Sequence, residues 1–296
     1  ADYAKQISYV FANGTLNNRF SISTAEELVE IKQNLSAHYK ITTNIDVSSV
    51  NSLLPLGELK GSIIGTNEYS TISGLNITKP LVENVDDTTT CYYGLFSKIS
   101  NGAYIEYVNF EGIMQISSNE KNVFAGLVAG INEGSLINVG VTLGASNVTV
   151  CSGNIGGVVG QNDGEIIQDF TLFEDNTSFS RTLSESELET NGRISYANMS
   201  PKVTVENTDV FTVYYNEGES ETSTNVGGIA GQNNGTIKKI DSTVVTFSGY
   251  LNYMGKVNIK LIPSDSGSSS DTTTFTKGNV GGLVGQSTGK LFAGYN

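Results

Sequence analysis

One phrase recurs four times in this chain, and a fixed recurring phrase limits a fold more sharply than composition does. Val280-Gly281-Gly282-Leu283-Val284-Gly285-Gln286-Ser287-Thr288-Gly289 matches Val226-Gly227-Gly228-Ile229-Ala230-Gly231-Gln232-Asn233-Asn234-Gly235, and both match Ile155-Gly156-Gly157-Val158-Val159-Gly160-Gln161-Asn162-Asp163-Gly164. A fourth copy, Phe124-Ala125-Gly126-Leu127-Val128-Ala129-Gly130-Ile131-Asn132-Glu133-Gly134, reads as carrying one extra residue. A weaker fifth, Tyr93-Gly94-Leu95-Phe96-Ser97-Lys98-Ile99, lies upstream. Gly94 to Gly126 is 32 residues and Gly126 to Gly157 is 31, whereas the intervals to Gly228 and then Gly282 are 71 and 54. A unit of about 30 residues is thus interrupted twice.

Each phrase is followed by a short apolar stretch with polar residues interleaved, such as Leu136-Ile137-Asn138-Val139 or Ile166-Ile167-Gln168-Asp169. Alternation with period two puts one face of a strand inside. A strand, a glycine turn, another strand and a return within one unit describe a coil of a parallel β-helix, each coil burying its inner face against the next. The fold expected is all-β: a right-handed parallel β-helix with an N-terminal capping α-helix and two lateral insertions. A sandwich or propeller of Gly-rich hairpins competes, but hairpin turns alone do not repeat a Gly-Gly-Φ-Φ-Gly phrase. Gly94, Gly126, Gly130, Gly134 and their counterparts Gly157, Gly160, Gly164, Gly228, Gly231, Gly235, Gly282, Gly285 and Gly289 are assigned to corners needing positive φ or close backbone approach. Asn132, Asn162 and Asn233, with Ser287 as the departure, should stack in one hydrogen-bonded column.

The whole chain, 1–296, reads as one domain, with a cap region at 20–48 and insertions at 168–225 and 244–279. In the cap, Ser23-Thr24-Ala25-Glu26 fits a capping box, and Leu28, Ile31 and Leu35 share one face of a helix from about 24 to 35. At the other end the stack is expected to present a bare edge. That edge invites self-association, with Ile7-Ser8-Tyr9-Val10-Phe11 as a candidate strand for head-to-tail pairing.

The phrase is similar to the GLUG motif of bacterial surface proteins. The upstream segments Ser23-Thr24-Ala25-Glu26-Glu27-Leu28, Tyr39-Lys40-Ile41-Thr42-Thr43-Asn44-Ile45-Asp46-Val47 and Ile72-Ser73-Gly74-Leu75-Asn76-Ile77 resemble the N-terminal β-helix region of the IgA-specific zinc metallopeptidases and related Gram-positive adhesins. The usual pattern there reads Asp-Ile-Asp where this chain has Asn44-Ile45-Asp46, and the turn near Gly61-Ser62-Ile63-Ile64-Gly65 is degenerate. The resemblance implies a β-helix and an exported, cell-surface setting. It implies no activity in this chain, because the zinc signature His-Glu-x-x-His is absent.

Charge narrows the partners. With 17 Lys and Arg against 30 Asp and Glu the formal net charge is -13, and the longest basic run is Lys238-Lys239, which excludes nucleic acid. No stretch reaches the roughly 18 apolar residues that insert in a membrane. The start, Ala1-Asp2-Tyr3-Ala4-Lys5, has no apolar signal core, so a secretion signal and an anchor are expected outside this sequence. Cys91 and Cys151 sit near one corner two coils apart, roughly 9.6 Å, beyond the about 7 Å a disulfide spans, so two free thiols are expected.

No catalytic, metal or cofactor residue is expected. His38 is the only histidine, so no two-His metal site, Cys/His dyad or Ser-His-Asp triad is expected from this chain, and His38 reads as structural or merely exposed. Asp163, Glu165, Asp169, Asp241 and Asp86-Asp87 do not recur at equivalent positions, as the paired carboxylates of a glycosidase would need to act together. Pro263-Ser264-Asp265-Ser266-Gly267 and Asp163-Gly164 match neither an EF-hand nor a nonapeptide calcium spacing and read more readily as solvated turns. What remains is the insertions, with Tyr214, Tyr215, Tyr250 and Tyr253 as candidate ligand contacts, since tyrosines offer a flat apolar face with a polar tip. The expected partner is a host glycoprotein, a glycan or another surface protein. The expected role is a non-catalytic adhesive or spacer module, the alternative an accessory domain presenting substrate to a protease or glycan-active enzyme.

Overall fold

The computed structural model describes residues 12–66, 70–118, 120, 122–144, 146–150, 152–169, 203–205, 211–216, 224–240, 257–262, 278–281 and 283–292. The plainest coil has five short strands: Val123–Ala125 on face one, Ala129–Asn132 on face two, Ser135–Ile137 on face three, Gly140–Leu143 on face four and Asn147–Val150 on face five. Gly153–Gly156 then returns beside Val123–Ala125, Val123 pairing with Gly153, 30 residues on. Repetition of this path makes an all-β parallel β-helix. Faces one, two and three each build their own sheet. Faces four and five are joined, because the long strand Val108–Ser117 pairs with Gly140–Leu143 by its first half and with Asn147–Val150 by its last.

Alternation explains the interior. On face three Ile105, Leu136, Ile166 and Ile237 stack in one inward column and are buried. Each such side chain contributes about 2 kcal/mol by leaving water, and only a neighbouring coil can cover it. Seven coil-to-coil steps along this face measure 19, 24, 42, 31, 30, 71 and 54 residues.

The first step holds the helix, Ala25–Glu30, followed by one 3-10 turn, Ile31–Gln33. Ala25, Leu28 and Ile31 join the main core, so the helix stands in for four strands and covers the apolar end of the stack. Its cap differs by one residue from the expectation. Thr24 Oγ1 accepts from Glu27 N, and Glu27 Oε2 accepts from Ser23 N and Ser23 Oγ, so the box is Thr24 with Glu27 and not Ser23 with Glu26. Face one begins with a hairpin instead: Leu81–Val85 runs antiparallel to Thr88–Tyr93 around Asp86 and Asp87, at φ 47° and 61°. The hairpin covers an edge that would otherwise be open to other chains.

Both insertions are narrower than the sequence suggests. Val203–Val205 continues face four beside Val141, and Phe211–Asn216 continues face five beside Asn147, so these runs belong to the coil and not to a lateral excursion. Val257–Ile262 likewise extends face five beside Phe211–Asn216. The strand-like runs in these stretches supply the faces that the coil otherwise lacks. The additional chain lies at 170–202, 241–256 and 263–277; the first two stretches depart from the paired residues Asp169 and Ile240, and the third joins Ile262 to Gly278, where the plain coil passes from Val150 to Gly153.

The fourth phrase has no extra residue. Ala125 pairs with Ile155 and Asn132 with Asn162, both 30 apart, so Phe124 belongs opposite Asn154. The glycine columns shift accordingly: Gly126 aligns with Gly156, and Gly157 with Leu127, whose amide donates to the Gly157 carbonyl. A leucine fits in that column, so glycine is not required there. Where it is required the cause is close approach. A Cβ on Gly156 would lie 2.0 Å from Val159 O, and one on Gly160 would lie 2.6 Å from both Ala125 N and Asn154 O.

Candidate functional site

Polar residues inside a β-helix either act or brace, and their partners tell which. Asn132 Nδ2 donates to Asn162 Oδ1 at 2.7 Å, Asn162 Nδ2 to Asn233 Oδ1 at 2.8 Å, and Asn233 Nδ2 to Ser287 Oγ at 3.2 Å. The three asparagines are fully buried. The column also bonds backbone carbonyls, Glu165 O and Thr236 O among them, at the bend that Gly134, Gly164, Gly235 and Gly289 open between faces two and three. One atom is left over: Asn132 Oδ1, which faces the Ile99 coil, has no partner.

A second column was not read from the sequence. Asn225 Nδ2 donates to Asn154 Oδ1 and Asn279 Nδ2 to Asn225 Oδ1, both at 2.7 Å. Asn154 Nδ2 donates onward to Gln161 and Gln232, whose own amides reach Asp163 and Asn234. The signal was present, since each phrase is preceded by an asparagine at 154, 225 and 279, one residue outside the repeat as it was delimited. Here Asp163 accepts from Gln161 and Asn234 on an exposed turn, a bracing role.

The other carboxylates stay dispersed. Asp86 and Asp87 form the hairpin turn, Glu165 heads its face-three strand between Ser135 and Thr236, and Asp169 ends the same strand. Asp241 and Pro263–Gly267 lie outside the described residues. Among the described residues no three His, Cys, Asp or Glu side chains gather as a metal site would need. Asn44 Oδ1 accepts from Thr71 N, and Asp46 Oδ1 accepts from Ser48 N. Cys91 is a buried free thiol beside Val123, which pairs in turn with Gly153, and burial followed by the charge of Glu120 pushes its pKa up. Cys151 lies outside the described residues.

The cluster that the sequence did not reveal sits at the start of face three. His38, Ser62 and Tyr104 occupy one outward column, with Arg19 one residue ahead of the Phe20–Tyr39 pair. Ser62 Oγ is 2.7 Å from His38 Nδ1 and accepts from Arg19 Nη1 at 2.7 Å, while Arg19 Nη2 reaches Tyr104 OH at 2.5 Å. Burial, then the nearby Arg19 charge, hold the His38 pKa below its ordinary value, so the imidazole is neutral near pH 7. A serine beside a histidine suggests a nucleophile and its base. Ser62 is fully buried and its oxygen is already engaged by a guanidinium, so it braces three coils and presents no attacking oxygen.

Tyr214 and Tyr215 lie on Phe211–Asn216, paired with Thr149 and Val150, and Tyr250 and Tyr253 fall outside the described residues. On face one a different aromatic pair stands beside a charge: Tyr92 and Phe124 stack at 5.8 Å, with Lys98 Nζ 4.7 Å from the Tyr92 ring and 3.2 Å from Glu83. No helix among the described residues is long and apolar enough to cross a membrane. Compared with protein-family models, with curated proteins and with solved structures, the chain matches none.

Proposed function

We propose that this chain is a non-catalytic, exported module of a bacterial cell surface, an adhesive or spacer segment in which a braced stack carries binding loops. One observation supports the reading. Asp169 and Ile240 are cross-strand partners on successive coils, and from them depart two of the long connections, 170–202 and 241–256. A solenoid that lengthens adjacent coils at one corner sets two segments side by side, and such segments commonly carry the binding face. The amide columns serve the same end by fixing coil register, and the occupants in this reading are a host glycoprotein, a glycan or another surface protein. The resemblance to GLUG-containing surface proteins agrees with it.

Replacing 172–200 by a short Gly/Ser connection should leave the denaturation midpoint nearly unchanged while abolishing binding to mucin or to a glycan panel. A variant that binds as before would remove this reading.

A further inference from the structure

We propose that Arg19, His38 and Tyr104 form a binding site for one oxyanion group, a carboxylate or a sulfate, on the outer surface of face three. The inference stands whether or not the chain serves as a surface module. It rests on donors that converge and are not consumed. Arg19 Nη1 and His38 Nδ1 are each 2.7 Å from the same Ser62 Oγ, so the two side chains lie within twice that distance of each other, and Tyr104 OH is 2.5 Å from Arg19 Nη2. A guanidinium has five N-H groups. Those of Arg19 reach Tyr39 O, Ser62 Oγ and Tyr104 OH, which leaves the Nε-H and one Nη2-H with no partner among the described residues. Tyr104 accepts from Arg19 and keeps its own proton to give. Ser62 has no other acceptor there, so its hydroxyl proton goes to His38 Nδ1 and the ring proton sits on Nε2, a further donor.

Charge points the same way. No carboxylate pairs with Arg19 or His38 among the described residues, where the ion pairs are Lys60 with Glu58 and Lys98 with Glu83. Arg19, His38 and Tyr104 are all partly exposed, and Lys40, two residues from His38 on the same strand, is too. The carboxylates of this face are Glu106, two residues from Tyr104 on its strand and in the column of Lys40, and Glu165, two coils beyond Tyr104 at roughly 10 Å, and both have other partners. The net charge of -13 does not forbid an anion here, because at physiological salt charges beyond about 8 Å are largely screened. A planar fork with free N-H groups suits the two oxygens of a carboxylate or a sulfate.

His38 is the only histidine, so its ring resonances report on the site without assignment. The full chain would be titrated with sodium glucuronate, glucose 6-sulfate, inorganic sulfate and neutral methyl glucoside while those resonances are followed by NMR. The charged probes should give a saturable shift and methyl glucoside none, with Arg19→Gln raising Kd at least tenfold and Tyr104→Phe raising it several-fold. A response confined to the two sugar derivatives identifies a glycan-borne anion, and an equal response to inorganic sulfate a free one. No saturable shift at about 50 mM of any anion overturns the proposal. So does a folded Arg19→Gln protein that titrates unchanged. Should Arg19→Gln disturb the fold, Arg19→Lys keeps the charge without the fork, and unchanged affinity in both it and Tyr104→Phe is equally fatal.

Discussion

Along face two one column of positions is Leu59 and Ile99 in the early coils and Asn132, Asn162, Asn233 and Ser287 in the later ones. The outer side of face one changes in the same sense, from Leu81, Tyr92 and Phe124 to Asn154, Asn225 and Asn279, while its inward positions such as Val123, Ile155 and Val226 stay apolar. The backbone path is common to both regions, so the coil does not dictate what fills it. Apolar burial is non-directional, whereas an amide bond needs its partner at one distance and angle. The early coils accordingly tolerate steps of 19, 24 and 42 residues on face three, and the steps bounding the amide columns keep strict register even where they reach 71 and 54, by putting the surplus between strands.

Glycine substitutions should separate the two regions most strongly. Gly160→Ala places a methyl against backbone on two sides, Ala125 N and Asn154 O at 2.6 Å, and neither can move without breaking a strand pair. A loss of about 3 kcal/mol or more is expected. Gly102, in the early region, has φ +84° with nothing within 4 Å of a Cβ, so Gly102→Ala should cost only the left-handed conformation, about 1 kcal/mol. Urea midpoints with matched slopes measure both. Equal losses would mean that the tight bend of the later coils is no more constrained than a surface turn.

Cutting the amide column comes next in size. Asn162→Leu leaves Asn233 Oδ1 without its amide donor in a buried site and Asn132 Nδ2 with only the Glu165 carbonyl, a loss of about 2 kcal/mol. Asn132→Leu only moves the unpaired acceptor from Asn132 Oδ1 to Asn162 Oδ1 while extending the apolar column by one coil, and should cost about 1 kcal/mol. If the end of the column proves as sensitive as its middle, the asparagines act singly and not as a chain.

These differences also mark what the sequence could disclose. Glycine and asparagine repeat because each answers a demand that no other residue meets, a missing Cβ or a stacked amide, so the coil and the column of Asn132, Asn162 and Asn233 could be read from spacing. Apolar positions accept Leu, Ile, Tyr or Phe alike, so the coils before residue 93 leave no recurring phrase and their register stayed hidden. Phe124 opposite Asn154 shows how this misled: read as an inserted residue, it is the column partner where aromatic stacking ends and amide bonding begins. The Arg19, His38, Ser62 and Tyr104 cluster was illegible for another reason. It joins residues from four coils whose steps of 19, 24 and 42 share no period, and only the pairing of those coils brings the side chains together.

The smallest effect tests the junction itself. Asn132 Oδ1 is buried without a donor, and the residue facing it from the preceding coil is Ile99, also buried. Ile99→Val should cost about 1 kcal/mol for the lost methylene. Ile99→Thr has nearly the shape of that valine variant but carries a hydroxyl, and burying a hydroxyl without a partner costs about 1 to 3 kcal/mol more. At this position the hydroxyl can donate to Asn132 Oδ1, which removes the penalty and satisfies the acceptor. The threonine variant should therefore fall within about 0.5 kcal/mol of the valine variant, or above it. Val123→Thr is the control: Val123 is equally buried, but its cross-strand partners are Cys91 and Gly153, with no waiting amide, so the full penalty of about 2 kcal/mol is expected. An Ile99→Thr protein that loses as much relative to Ile99→Val as Val123→Thr loses relative to wild type would show that Asn132 Oδ1 is not an open position in the column. The two kinds of interior would then meet without a seam.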